Sequence, residues 1–247
     1  MKETRTLMGM TIIVEIVDSH VTQESIEKVF EYLEYVDTKF STYKDASEIM
    51  SINRGEIKEQ NASEDMKEVL KLAEETKKAT DGYFDIHKPD GQIDPSGLVK
   101  GWAIRNSAHI LDKEGFKNFY VDVGGDVEVR GHNLEHKKWS VGIRNPFNEQ
   151  EIVKIVHLTN RGIATSGTYV RGQHIYNPHK AGTLEEAKSL TVIGPDVYEA
   201  DRYATAAFAM GTKGIHFIDN LPGFEAYMID KDGLGTQTSG FESYTQN

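Results

Sequence analysis

The chain contains no cysteine, which excludes disulfides, thiolate metal sites and cysteine nucleophiles together. None of its 247 residues belongs to a run approaching the roughly 18 apolar residues of a membrane-spanning helix. Basic residues are in the minority, 28 Lys and Arg against 39 Asp and Glu, for a net charge of −11. A nucleic-acid footprint is therefore not expected, and docking on anionic membrane is opposed, although a local basic pocket for a phosphate is compatible with that balance. The opening stretch "MKETRTLMGMTIIVEIVD" mixes charge with apolar residues and lacks the apolar core and small-residue cleavage site of a signal peptide, so the reading is a soluble cytoplasmic protein. Neither G-x-S-x-G nor G-x-x-x-x-G-K-[ST] occurs, and no histidines are spaced as in a zinc site. Nucleophile-elbow, P-loop and zinc chemistry are all unsupported.

The length suits one large domain or two closely packed halves, and no repeat, low-complexity tract or linker divides 1–247. "TIIVEIV" (11–17) predicts a strand. Residues 22–40 place Ile26, Val29, Phe30, Leu33 and Val36 at helical spacing, and a second amphipathic helix over 63–79 has Ser63 as its N-cap. A third helix, about 99–113, is entered through "DPSG". "KNFYVDVGGDVEVRG" (117–131) reads as two β arms broken by Gly124 and Gly125. Further strands fit 138–144, 151–158, 189–194 and 224–230, with a helix over 197–210. Helices and strands come in clusters without regular βαβ alternation, which favours α+β.

Five stretches hold more small, polar and turn-forming residues than a scaffold needs: 41–53, 82–103, 121–131, 162–178 and 201–211. The glycine pair at 124–125 alone reads more readily as a bulge or tight turn than as a ligand loop. "DPSG" is ordinary capping chemistry, with Asp94 or Ser96 satisfying free amides, but a helix start with Lys100 one turn on is also an anion site. His174 is the best general-base candidate because imidazole is the side chain that ordinarily titrates near neutral pH, against the alternative of a merely structural histidine. Asp201 and Thr205, four residues apart, stack on one helix face and could grip a hard cation. The alternative is a surface Asp near a helix N-terminus and a threonine bonded back to its own helix. Ala204, Ala206, Ala207 and Ala209 around the pair allow close approach, and an oxygen-only cluster suits Mg²⁺.

In order along the chain, "LMGMTIIVEI", "STYKDASEIMSIN", "DPSGLVKGWA", "VDVGGDVEVRG", "WSVGIRNP", "GIATSGTY", "HIYNP" and "ADRYATAAFAMG" resemble the FAD:protein FMN transferase family known as ApbE. The resemblance implies one α+β unit over 1–247, of two sheet-and-helix halves with the site in the cleft between them. It implies an enzyme that uses Mg²⁺ to split FAD and moves FMN onto a threonine or serine of a partner flavoprotein, releasing AMP. Position by position it implies Gly97, Asp201 and Thr205 as metal ligands and Met8, Tyr43, Asp85, Asp94, Lys100 and His174 as flavin-dinucleotide contacts, with His174 as general base. Family members commonly carry a longer insertion where only "IHKPDGQI" separates Asp85 from Asp94. A Mg²⁺-dependent FAD pyrophosphatase and a non-catalytic flavin-binding protein are the alternative functions.

Overall fold

The computed structural model describes residues 1–167, 179 and 186–246. The chain begins with a hairpin, β1 (Lys2–Leu7) and β2 (Met10–Ile16), followed by α1 (Gln23–Phe40), the short α2 (Glu48–Asn53), α3 (Glu64–Ala79) and α4 (Ser96–Lys113). A run of strands follows: β3 (Phe119–Val123), β4 (Asp126–Arg130), β5 (Trp139–Asn145), β6 (Asn148–Leu158), β7 (Arg161–Gly167) and β8 (Ala187–Gly194). Then come α5 (Val197–Ala209), the short α6 (Gly214–Asp219), β9 (Glu225–Asp230) and β10 (Gly235–Gln237). The architecture is α+β, as the clustering of elements predicts.

Among the described residues the strands form an eight-stranded sheet in the order β1-β2-β3-β4-β7-β8-β9-β10, with β5 and β6 paired separately. Among the described residues its strands pair antiparallel throughout. Two groups of helices cover one face of this sheet. The first, α1 to α4, packs on β2 and β3 around Phe30, Leu33, Trp102 and Val121. The second, α5 and α6, packs on β7 to β9 around Leu190, Val192, Phe208 and Ala226. The opposite face is closed by the β5–β6 hairpin and Phe241 against Val127, Val129, Ile163 and Ile193. The two helical halves thus share one sheet and meet where α4 crosses α5.

Local chemistry accounts for the ends of the helices. Thr22, Ser47 and Ser63 accept amide hydrogens at the starts of α1, α2 and α3, each satisfying one otherwise unpaired donor. At α4, Asp94 Oδ1 accepts from the Ser96 amide at 3.1 Å. Gly124 and Gly125 form the two-residue β3–β4 turn with φ of 64° and 98°, the conformation that matches strand twist in a tight hairpin. Met8 and Gly9 do the same between β1 and β2, at 55° and 69°. The "MG" pair therefore precedes the second strand; β1, whose "KETRTL" is exposed or half-buried throughout, carries no apolar period to reveal it.

A candidate active site where two helices cross

Strand β7 explains how α5 lies so close to the sheet. Its positions facing the helices, alternating by the strand period of two, are Gly162, Ala164 and Ser166. All are small, so the helix rests almost on the strand backbone. A Cβ on Gly162 would sit 1.9 Å from the Val197 amide nitrogen, and Ser166 Oγ lies 3.3 Å from Thr205 Oγ1. Four strand residues advance about 13 Å and eight helical residues about 12 Å, so α5 keeps step with β7 from its first turn to Thr205. Ala164, Ala200, Ala204 and Ala207 are buried in that interface.

On its other side α5 meets α4 through glycines. A Cβ on Gly101 would lie 2.7 Å from Asp201 Cβ and 2.9 Å from the Val197 carbonyl; one on Gly97 would lie 3.1 Å from Thr205 Cγ2. With no side chains in the way, Asp201 Oδ2 accepts the Gly101 amide hydrogen at 2.8 Å, and the Thr205 hydroxyl donates to the Gly97 carbonyl at 3.1 Å. Asp201 is 5% exposed. It is not a surface residue, and Thr205 reaches across to α4 as well as lying on its own helix. The crossing thus places one carboxylate at Gly101 and, one helical turn on, a hydroxyl against the Gly97 backbone carbonyl, oxygen donors of the kind a hard cation such as Mg²⁺ takes. Among the described residues no group of three or more His, Asp or Glu could hold a metal ion, so any cation at this crossing relies on the neutral oxygens.

A cavity of about 580 Å³ opens beside the crossing, lined by the Met8–Met10 turn, Phe40 to Lys44, and Ser96, Val99, Lys100 and Ala103 of α4. Met8, Tyr43 and Lys100 thus share one cavity. Tyr43 is 95% exposed and offers its ring without burial. Met8 holds a left-handed backbone that a non-glycine residue adopts at a cost of order 1 kcal/mol. Lys100 Nζ lies 2.6 Å from Asp126 Oδ2, while Asp126 Oδ1 accepts the Thr165 amide at 3.0 Å.

Asp94 and Asp85 are not among the cavity's lining residues. Asp94 adjoins the cavity through Ser96 and is paired with Lys88 at 2.7 Å. Burial pushes its carboxyl up, but the bonds from Lys88 and Ser96 prevail and hold it below the usual range. Asp85 is paired with Lys77 at 2.7 Å and with His87 at 3.0 Å. The short segment between them closes on itself through a bridge of His87 with Ile93 and the Asp94 amide donating to the Ile86 carbonyl. His174 lies outside the described residues.

Two acids of "VDVGGDVEVRG" that the sequence pattern does not mark also face the crossing. On β4, Val127 and Val129 face the β5–β6 side, so Asp126 and Glu128 point at the helices. Both are buried, 1% and 0% exposed. Buried charges require partners, but the burial itself is not visible in the strand's alternation, so no local sequence signal marks these two acids. Glu128 Oε2 accepts the Val197 amide at 2.6 Å and Oε1 is bound by Arg130. Burial pushes the Glu128 carboxyl up to about 7, against the lowering effect of Arg130.

This shift has a definite sign in folding. Between the ordinary glutamate value of about 4.3 and about 7, the folded state keeps a proton that the unfolded chain has released. The stability held by Glu128 is complete below the lower value and is lost as pH rises toward the upper one. Glu128→Gln lacks this term. From pH 4.5 to 7.5, the difference in unfolding free energy between the variant and the parent, measured in urea, should move in the variant's favour by on the order of 3 kcal/mol. A difference independent of pH would contradict the assignment.

Among the described residues no helix is long and apolar enough to cross a membrane. The chain is 32% identical to the FAD:protein FMN transferase of Salmonella typhimurium, over 61% of this chain and 46% of the relative. It is 31% identical to that of Escherichia coli K12, over 63% and 47%. The match thus spans about half the length of these curated relatives. In fold it is similar to the flavin transferase ApbE from Vibrio cholerae, with a TM-score of 0.85 and 22% identity over 99% of this chain and 98% of that one. The ApbE family model matches residues 8–89 and 87–228, which take in the cavity, both crossing helices and the strand beneath them, and the protein therefore belongs to the ApbE family.

Proposed function

We propose that the protein is a Mg²⁺-dependent FAD:protein FMN transferase, a single ApbE-like unit over 1–247 acting in the cytoplasm on FAD and an acceptor flavoprotein. Neither nucleic acid nor membrane is a partner in this reading. The observation that carries it is the helix crossing that seats Asp201 against Gly101 and Thr205 against the Gly97 carbonyl, one turn apart, beside a cavity lined by Lys100. Relatives named for this activity support it.

Gly97, Asp201 and Thr205 are the residues that would hold the cation, and one carboxylate with neutral oxygens fits an ion that shares its shell with phosphates and water. A Mg²⁺ ion bound there supplies charge neutralisation for the pyrophosphate oxygens. Lys100, on the cavity wall and oriented by Asp126, adds a fixed positive charge for the same phosphates. Met8 and Tyr43 offer a thioether and an open aromatic face to an apolar ring. Asp94 and Asp85 remain flavin-dinucleotide contacts in the proposal, reached once Lys88 and Lys77 yield. In the reaction the acceptor hydroxyl oxygen bonds to the FMN phosphorus, its proton passes to His174, and the phosphorus–oxygen bond to AMP breaks with AMP taking the electron pair. In-line positioning and charge neutralisation supply most of the catalysis in such transfers.

Nucleotide analysis after incubation with FAD tests the cleavage half of this proposal. AMP should accumulate with Mg²⁺ and not with EDTA. FAD that stays intact with Mg²⁺ and a competent acceptor would leave a flavin-binding protein instead.

A further inference from the structure

We propose that Glu128 is a positioning residue that sets where Asp201 and Thr205 meet α4, by gripping the Val197 amide at the start of α5. The inference rests on the reading of Asp201 and Thr205 as cation ligands. Three observations on the sheet side of the helix carry it. Glu128 stands opposite Gly162 in the β4–β7 register, and the space left by the missing side chain is filled by the Asp196–Val197 backbone. Into that space Glu128 Oε2 accepts the Val197 amide at 2.6 Å. Val197 and Asp201 are four residues apart on α5, and both the Val197 carbonyl and Asp201 abut Gly101 of α4. A shift of the first turn therefore carries the ligand carboxylate with it.

A carboxylate is an unusual choice for a position that is fully buried. The amide could be satisfied by a neutral acceptor, and the N-cap role is already filled by Asp196, whose side chain accepts the Glu199 amide. What the charge adds is strength, because an ionised acceptor at a helix N-terminus makes a shorter, stronger bond than a neutral one. The groups facing Glu128 are Arg130 on its own strand and Asp196 at the helix start. Nearby on α4 are Arg105, His109 and Asp112. Asp112 lies 3.8 Å from Arg130, and His109 is held below its usual range by burial and by Arg105. Ionisation near neutral pH then tightens the grip on α5 at the cost in folding stability derived above.

The test reads cation binding, with the full chain and Mn²⁺ alone as probe, followed by the electron paramagnetic resonance of free Mn²⁺ from pH 6 to 8.5. Parent protein should bind Mn²⁺ more tightly as pH rises through about 7. Glu128→Gln, which keeps an oxygen acceptor but no charge, should lose that rise and bind about tenfold more weakly at pH 8, the lower end of effects for outer-shell partners. Arg130→Gln removes the cation that lowers the Glu128 carboxyl, so the midpoint of its affinity curve should move to higher pH, and this holds even if Glu128→Gln does not fold. Equal affinities and unshifted midpoints in folded variants would overturn the positioning role while leaving the cation site intact. Failure of the parent to bind Mn²⁺ at any pH would overturn the cation site and the inference with it.

Discussion

Asp201→Asn should leave a folded protein whose FAD cleavage is reduced by about 10²–10³-fold, the range seen when one preorganised electrostatic group is removed from an active site. Its residual activity should no longer respond to Mg²⁺. Asparagine keeps the size of the side chain and an oxygen able to accept the Gly101 amide hydrogen that Asp201 now takes at 2.8 Å. The helix crossing is then preserved, and the carboxylate's charge is what is lost. Gly97 and Thr205 contribute only neutral oxygens at this crossing, so they cannot replace it. The measurement is AMP release against Mg²⁺ concentration for parent and variant, with thermal unfolding as the check on folding. An unchanged Mg²⁺ response in Asp201→Asn would show that the cation sits elsewhere.

Gly162→Ala should be the most damaging single methyl group in the sheet. The added carbon would meet the Val197 amide nitrogen at 1.9 Å, the Asp196 carbonyl carbon at 2.2 Å and Val197 Cα at 2.3 Å. These are backbone atoms, which cannot rotate away as the end of a side chain could. Overpacking a core usually costs about 1–3 kcal/mol, and a clash with the first turn of a helix belongs at or above the top of that range. Either α5 lifts off β7, carrying Asp201 and Thr205 from Gly101 and Gly97, or the chain fails to fold. Chemical denaturation should register the loss in stability, and surviving protein should show weakened Mg²⁺ dependence. A variant with parental stability and activity would mean that α5 is not seated on Gly162.

How far the sequence discloses this arrangement depends on where the information is stored. Helices α1 and α3 are legible because apolar spacing and capping residues are local: Ser63 caps α3 as the pattern predicts. The β3–Gly124–Gly125–β4 hairpin is legible for the same reason. Strand β7 is not, since the residues it turns to the helices are Gly162, Ala164 and Ser166, chosen for closeness to α5 and so without the apolar alternation that marks a strand. Short elements such as α2 and α6 carry too few turns to show a period. At the site, the four-residue spacing of Asp201 and Thr205 suggested a shared face, but their meeting with Gly97 and Gly101 is a fact of packing between distant segments. Glu128 is hidden in the sequence because "DVEVR" alternates like a half-solvated strand. Nothing within one strand tells whether water or a helix covers its polar face.

Transfer of FMN to an acceptor separates a transferase from a pyrophosphatase. The direct measurement is intact mass of a flavoprotein domain carrying an acceptor threonine after incubation with this protein, FAD and Mg²⁺, with nucleotide analysis alongside. The acceptor should gain one FMN and AMP should appear in equal amount, with neither event in EDTA. Free FMN and AMP with an unmodified acceptor, under conditions where an established transferase labels that same domain, would contradict the transferase reading and leave a pyrophosphatase in its place.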